Sequence, residues 1–172
     1  MGEATPYCDL PPARIKFIGK IMPRVKLIIT LRNPVDRLWS SGLMHLVQGR
    51  KREFEEISES EFLQFLEGKE ILKQGFYPEI LKNWRTTFPP EQLFVCFYDD
   101  LVENPEVFLK NILAFLGADY NINIHVHDHI NKSPHHQMPE ELRKHFLEIY
   151  TPSILELSKE FGEKALIWLR SP

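Results

Sequence analysis

The sequence has few cysteines and no long apolar segment. Cys8 and Cys96 are its two cysteines, and their spacing matches no metal-binding motif, so we expect reduced thiols in or near the core. No stretch approaches the roughly 20 apolar residues of a membrane span. The first residues, MGEATPYCDLPP, do not resemble a signal peptide. If the chain is complete, it is therefore predicted to be cytoplasmic.

The chain also lacks a large net charge. Its formal charge of −3 excludes a surface built to coat nucleic acid or an anionic membrane, so any anion site must be made locally by a few basic residues. With 43% hydrophobic and 26% charged residues, the composition is that of a globular protein rather than a disordered one. The length of 172 residues predicts a single domain, residues 1–172.

Two short apolar runs predict buried strands. Residues 26–31 (KLIITL) and 93–98 (LFVCFY) are nearly continuous in apolar character, which predicts parallel strands covered on both faces. Helix signals follow each run, so the chain is predicted to be α/β, with a parallel sheet flanked by helices. Because about five strands are typical of a sheet, two strands predict that the fold is N-terminally incomplete.

Asn-Pro pairs begin two of the predicted helices. Asn33 can cap the first, with Pro34 at its first position, and Asn104 starts another that Gly117 ends. Further helices are predicted over residues 58–66, from residue 78, and from about residue 139. The apolar residues expected to face the core in the two Asn-Pro helices are Val35, Leu38, Trp39, Leu43 and Leu46, and Val107, Phe108, Ile112, Phe115 and Leu116.

The junction of the first strand and helix is a candidate anion site. Arg32 falls at the carboxyl end of the strand, where ligands bind in open α/β sheets, and free N–H groups of the helix lie close by. Asn33, Arg37 and Ser40 share a helix face. A guanidinium and a hydroxyl can thus converge on one tetrahedral oxyanion. The alternative is that the arginines form surface salt bridges with Asp36 and its neighbours.

This junction, KLIITLRNPVDRLWSS, resembles the 3′-phosphate-binding segment of sulfotransferases, especially the bacterial and heparan-sulfate-modifying type. Other segments resemble that family in the same order: GEATPY from Gly2, GFY from Gly75, FPPEQL from Phe88, YDDL from Tyr98, NP at Asn104, FLG from Phe115, NKS from Asn131 and MPEEL from Met138. The resemblance implies a P-loop NTPase-like sulfotransferase fold. It covers nearly the whole chain.

The resemblance implies a transferase that uses 3′-phosphoadenosine 5′-phosphosulfate and releases 3′,5′-adenosine bisphosphate, without a metal. Arg32 and Ser40 would bind the 3′-phosphate. Lys132, with Asn131 and Ser133, would close over the nucleotide; we call residues 131–133 the late loop. The acceptor would be a hydroxyl or amine of a small molecule, lipid or carbohydrate. Nucleic acid and membrane are not expected partners of this segment.

Three further residues are candidates for the site. Tyr77 would lie near the cofactor or acceptor, although it also fits a helix-entry aromatic residue packed on Trp84. Glu3 and His45 are the two residues here that could act as the catalytic acid or base. Each also has a structural interpretation: Glu3 could orient its neighbours, and His45 could be hydrogen-bonded on its helix.

The family's 5′-phosphosulfate-binding parts are missing from the sequence. The family's Gly-rich loop, which carries a lysine, has no counterpart here because the glycines of this sequence are dispersed. The acidic residue that is proposed as the acceptor base in the family lies upstream of the Gly-Glu segment, so it is missing here too. Ala4 stands where many relatives have lysine. The rival hypothesis is thus a catalytically inactive, truncated remnant that binds a nucleotide or partner. A more distant alternative is another P-loop-fold enzyme such as a small-molecule kinase, although the missing phosphate loop counts against it as well. An upstream anchor, if one is missing, would place the protein in the Golgi lumen.

Histidines cluster near the late loop. His125, His127 and His129 alternate, with His135 and His136 close behind. On an extended strand the first three would share a face, as in some transition-metal sites, but the segment is loop-like and the resemblance implies no metal. The alternative is that protonation near pH 6.5 makes this loop more cationic and strengthens donor binding.

Overall fold

The computed structural model describes residues 9–119 and 136–170. Glu3, Cys8, the late loop and four of the clustered histidines therefore lie outside the described residues. The chain divides into two compact units. We call residues 1–32 with 79–130 the strand unit, and residues 33–78 with 131–172 the helical unit. The predicted single domain stays a prediction.

The strand unit contains a parallel sheet, as predicted. Strand β1 pairs with β2 in a register that runs from Leu27 opposite Leu93 to Leu31 opposite Phe97. Its elements, in chain order, are α1 (Pro12–Ile21), β1 (Leu27–Leu31), most of α5 (Tyr77–Arg85), a 3₁₀ turn (Pro90–Gln92), β2 (Leu93–Phe97), α6 (Tyr98–Glu103) and α7 (Pro105–Leu116). Ile80, Leu81 and Trp84 of α5 are buried, as their spacing predicts.

Strand β1 is not covered on both faces, so that part of the prediction is wrong. Leu31 is fully buried, but Ile28 is 38% exposed and Thr30 is exposed as well. Exposed positions alternate with covered ones because successive side chains point to opposite sides of a strand. The apolar run reflects the preference of Ile and Thr for extended backbone, which does not require burial.

Helix α7 begins and ends as predicted but buries less than predicted. The side chain of Asn104 accepts a hydrogen bond from the N–H of Val107, and Gly117 ends the helix at a φ of 73°. No residue of α7 is fully buried, and Val107 and Leu116 are 50% and 41% exposed. The helix contacts the sheet through Phe115, whose ring stacks on Phe94, so only this side of its apolar surface is covered.

The helical unit forms around α2. Its elements are α2 (Pro34–Gly42), which continues as a π-helical turn (Leu43–Gln48), then α3 (Glu59–Leu66), α4 (Lys69–Leu72), α8 (Glu140–Phe161), α9 (Glu163–Leu166) and 3₁₀ turns at Phe54–Glu56, Lys73–Gly75 and Ile167–Leu169. The predicted core stripe of α2 is buried in full: Val35, Leu38, Trp39, Leu43 and Leu46. It packs with Phe62 and Leu66 of α3, and Phe146 and Ile154 of α8 are also buried.

Helix α8 is held to the rest of the helical unit by polar contacts. Arg143 pairs with Asp36 of α2 at 2.6 Å, and the hydroxyl of Tyr150 donates to the carbonyl of Leu72 at 2.9 Å. A Cβ added at Gly75 would lie 2.5 Å from the ring of Tyr150, so glycine is needed for this approach. These contacts fix the end of α4 and the turn after it against α8.

No helix in residues 9–119 or 136–170 is long and apolar enough to cross a membrane.

Candidate functional site

Arg32 lies where the sequence predicts it, just beyond the carboxyl end of β1. Because Leu31 pairs with Phe97, Tyr98 occupies the equivalent position after β2. The guanidinium of Arg32 lies over the ring of Tyr98, 4.9 Å from its centroid. This cation–π contact orients the arginine side chain at the edge of the sheet where ligands bind in α/β folds. Tyr98 is not among the site residues predicted from the sequence, although the resemblance included the YDDL segment.

The next residue caps α2. The Oδ1 of Asn33 accepts a hydrogen bond from the N–H of Val35 at 3.0 Å, and Pro34 occupies the first turn. Asn33 is only 3% exposed, so its side chain is fixed by both burial and the cap. Asn33 follows Arg32 directly in the chain, and the positive end of the α2 dipole lies at the Asn33 cap.

Arg37 and Ser40 lie further along the same face of α2. Arg37 donates through Nη2 to the side-chain oxygen of Gln74 in the turn after α4. Its Nη1 is buried and has no hydrogen-bond partner among the described residues, and the same holds for the Nδ2 of Asn33. Ser40, three residues after Arg37, is half-buried. Asp36 pairs with Arg143, which differs from the salt bridges expected in the alternative interpretation.

Tyr150 lies near Arg37, and Tyr77 lies near Tyr150. Tyr150 is fully buried, and burial raises its pKa above the usual range, while the nearby charge of Arg37 opposes that shift. Tyr77 is 4% exposed and packs against Trp168, with ring centroids 6.0 Å apart. Tyr77 is therefore a core residue of the helical unit, and its contact with cofactor or acceptor stays a prediction.

His45 lies on the π-helical turn and is exposed. Its Nδ1 is 2.9 Å from the carbonyl of Ser41, and its ring lies 5.4 Å from that of Phe65. Since a carbonyl can only accept, Nδ1 donates and Nε2 of the neutral ring is left as an acceptor. Ser41 is turned about 100° around the helix from Ser40. The catalytic role of His45 stays a prediction.

An aromatic cluster that was not predicted from the sequence lies in the helical unit. The indole N–H of Trp39 donates to the carbonyl of His136 at 2.7 Å, and the His136 ring stacks on Phe54 with centroids 4.0 Å apart. Phe62 completes the cluster, 5.0 Å from Trp39. Trp39 is adjacent to Ser40, and His136 follows the late loop by three residues. The cluster thus connects α2 to the chain segment that leaves the late loop.

Within the described residues, no group of three or more histidine, cysteine or acidic side chains could hold a metal ion. His125, His127, His129 and His135 lie outside the described residues, so the histidine hypotheses stay predictions.

A protein-family model described as the sulfotransferase family matches residues 7–121, more than half of the chain. The chain belongs to the sulfotransferase family. The recognition made from the sequence segments is therefore confirmed, as is the assignment to a family of transferase enzymes.

Relatives of this sulfotransferase include proteins with carbohydrate-related names. Carbohydrate sulfotransferase 15 of Mus musculus is 26% identical over 121 residues, which cover 59% of this chain and 22% of that protein. Bifunctional heparan sulfate N-deacetylase/N-sulfotransferase 2 of Homo sapiens is 30% identical over 112 residues, 60% of this chain and 13% of that protein. The chain thus spans less than a quarter of these curated relatives.

A solved structure confirms the fold. The crystal structure of a sulfotransferase from Alicyclobacillus acidocaldarius superimposes with a TM-score of 0.67 at 24% identity, covering 89% of this chain and 60% of that one. The predicted α/β sulfotransferase fold with a parallel sheet is therefore correct.

Proposed function

We propose that this sulfotransferase chain binds the 3′-phosphate of 3′-phosphoadenosine 5′-phosphosulfate through Arg32 and Ser40. The observation that carries the proposal is the position of Arg32, at the carboxyl end of β1 and directly before the capped start of α2. A guanidinium at a helix N-terminus provides two kinds of donor to a phosphate, the planar fork and the backbone N–H groups. Ser40 adds a hydroxyl from the same helix.

The proposed reaction is in-line transfer of the sulfuryl group to a hydroxyl or amine. A base takes the acceptor proton while the new bond to sulfur forms, and the bond from sulfur to the bridging oxygen breaks with release of 3′,5′-adenosine bisphosphate. Cations stabilise the charge that develops on the leaving phosphate. Lys132, Asn131 and Ser133 are proposed to close over the nucleotide, and Glu3 or His45 to serve as the base.

We propose a carbohydrate acceptor. The support is that the relatives are named as a carbohydrate sulfotransferase and a heparan sulfate N-sulfotransferase. A hydroxyl or an amine of a sugar would meet the requirement of the reaction. The rival proposal is a nucleotide-binding module without activity, favoured by the lack of a Gly-rich phosphosulfate loop in the sequence.

Thermal stabilisation by 3′,5′-adenosine bisphosphate tests the proposal. At about a hundred times its dissociation constant the ligand is expected to stabilise the wild-type chain by roughly 2.7 kcal/mol. Adenosine 5′-monophosphate, which lacks the 3′-phosphate, is expected to stabilise it far less. Arg32→Ala and Ser40→Ala are expected to weaken the response to the bisphosphate. Equal stabilisation by both nucleotides in all variants would contradict a 3′-phosphate site at these residues.

A further inference from the structure

Two buried hydrogen-bond donors on α2 have no acceptor in the described part of the chain. They are the Nδ2 of Asn33 and the Nη1 of Arg37. Buried polar groups in folded proteins are almost always paired, because an unpaired donor forfeits its bonds to water without compensation. For a guanidinium the penalty is larger because the charge is also taken out of water. The two donors therefore need a hydrogen-bond acceptor that does not belong to the described residues.

Both donors are held in place by their other atoms. The carboxamide of Asn33 is fixed because its Oδ1 accepts a hydrogen bond from the N–H of Val35. Its Nδ2 is left to donate to another acceptor. The guanidinium of Arg37 is fixed because Nη2 donates to Gln74. Gln74 is neutral, so it orients the arginine without cancelling its charge. The arrangement is that of a preorganised site, in which ligand binding costs little side-chain entropy.

Spacing along α2 places these donors on the same helix face as Ser40, the proposed phosphate ligand. Asn33 and Arg37 are four residues apart, and Arg37 and Ser40 are three apart, so all three lie on one helix face. The nearest acidic residue in sequence, Asp36, is already paired with Arg143. The face thus combines two unfilled donors, one of them positively charged, with the N-terminus of a nine-residue helix.

We infer that Asn33 and Arg37 bind a phosphate oxygen of the nucleotide, so that the oxyanion site extends from Ser40 to the first turn of α2. This inference rests on the proposed function and assigns two further ligand-binding residues to it. A tetrahedral oxyanion suits such donors because it carries several oxygens, each of which can accept hydrogen bonds.

Two substitutions test the inference with little disturbance of the fold. Asn33→Asp keeps the helix cap, since aspartate caps as well as asparagine, but replaces the Nδ2 donor with an anionic oxygen. Arg37→Met keeps an apolar stem and removes the donor and the charge. Both are expected to weaken binding of 3′,5′-adenosine bisphosphate at least tenfold in calorimetry. Arg170→Met removes the same charge from an exposed position of the same unit, where Arg170 pairs with Glu163, and is expected to stay within twofold of wild type.

Stability without ligand distinguishes a ligand-binding role from a structural one. If Arg37 is kept for the ligand, Arg37→Met is expected to unfold at the same or a higher urea concentration than wild type, because it relieves an unpaired buried charge. A large loss of stability with unchanged affinity would overturn the inference.

The remaining outcomes separate the inference from the proposed function. If Arg32→Ala loses the bisphosphate while Asn33→Asp and Arg37→Met bind it like wild type, the inference is wrong and the proposed function stands. If the wild-type chain does not bind the bisphosphate, the proposed function fails for this chain. Inorganic sulfate then decides the inference: stabilisation of wild type but not of Arg37→Met supports an oxyanion site, and equal responses overturn it.

Discussion

Tyr98 shows how a single side chain can orient a residue of the candidate site. Its ring supports the guanidinium of Arg32, at the point where both strands end. Tyr98→Leu removes the ring and with it the cation–π contact to Arg32. Because such a contact is worth about 0.5–1 kcal/mol, we expect a two- to fivefold loss of affinity for 3′,5′-adenosine bisphosphate. Tyr98→Phe keeps the ring and is expected to bind like wild type. Calorimetric titration of both variants measures the difference, and equal weakening would instead point to the tyrosine hydroxyl.

Tyr150 makes the stability of the chain sensitive to alkaline pH. Because burial raises its pKa, the folded state keeps the hydroxyl protonated at pH values where the unfolded chain ionises. The stabilisation is fully present below the ordinary tyrosine pKa of about 10 and is lost as pH rises above it.

Tyr150→Phe removes this dependence together with the bond to Leu72. At pH 7 the variant is expected to be about 1 kcal/mol less stable than wild type in urea unfolding, because one buried hydrogen bond is lost. At pH 11 the difference is expected to disappear or reverse. A constant difference from pH 7 to 11 would show that Tyr150 does not titrate differently in the two states.

The role of a residue can be predicted from the sequence when it depends on near neighbours in the chain. Asn33 and Asn104 are recognisable as caps because each cap bonds an N–H two or three residues away. The partners of Arg37 and Asp36 are not predictable in this way. They are Gln74 and Arg143, 37 and 107 residues distant, and only the tertiary fold brings them to α2.

At the level of helices and strands, the sequence predicts a helix where a side-chain cap or a long apolar face marks it. Helices α2, α3 and α7 have side-chain caps, and α8 has a long apolar face. Four helices that lack a side-chain cap were not predicted from the sequence: α1, α4, α6 and α9. Helices without such signals depend on tertiary packing for their stability, and a single sequence does not display that packing.

Trp39 connects two elements of the helical unit and gives a test at this scale. Its N–H holds the carbonyl of His136, three residues after the late loop, while the adjacent Ser40 is a proposed phosphate ligand. Trp39→Phe keeps an aromatic ring and loses the N–H. We expect about 1 kcal/mol less stability and a severalfold weaker affinity for the bisphosphate, because the late loop would be less well positioned.

The control for Trp39 is Phe62→Leu, which changes the packing of the indole but leaves its hydrogen bond. This variant is expected to lose stability with little change in affinity. Urea unfolding and calorimetry are needed for both variants. If Trp39→Phe binds the bisphosphate like wild type, the hydrogen bond to His136 is structural and does not position the late loop.

For the molecule as a whole, the charge of −3 means that ligand attraction is local rather than general. The positive groups of the proposed site are few, and the chain spans 60% of the solved sulfotransferase it matches. The part of the donor that these residues are proposed to hold is the 3′-phosphate end. The sequence has no Gly-rich loop for the 5′-phosphosulfate, so the two ends of the donor are expected to contribute unequally to binding.

This inequality can be measured by comparing donor and product. We expect the dissociation constants of 3′-phosphoadenosine 5′-phosphosulfate and 3′,5′-adenosine bisphosphate for this chain to lie within about threefold of each other. A threefold ratio means that the sulfuryl group contributes less than about 0.7 kcal/mol to the binding free energy. The 2′,5′-bisphosphate isomer, whose phosphate is displaced on the ribose, is expected to bind at least tenfold more weakly. A donor that binds tenfold more tightly than the product would contradict the prediction, since residues within this chain would then bind the phosphosulfate without a Gly-rich loop.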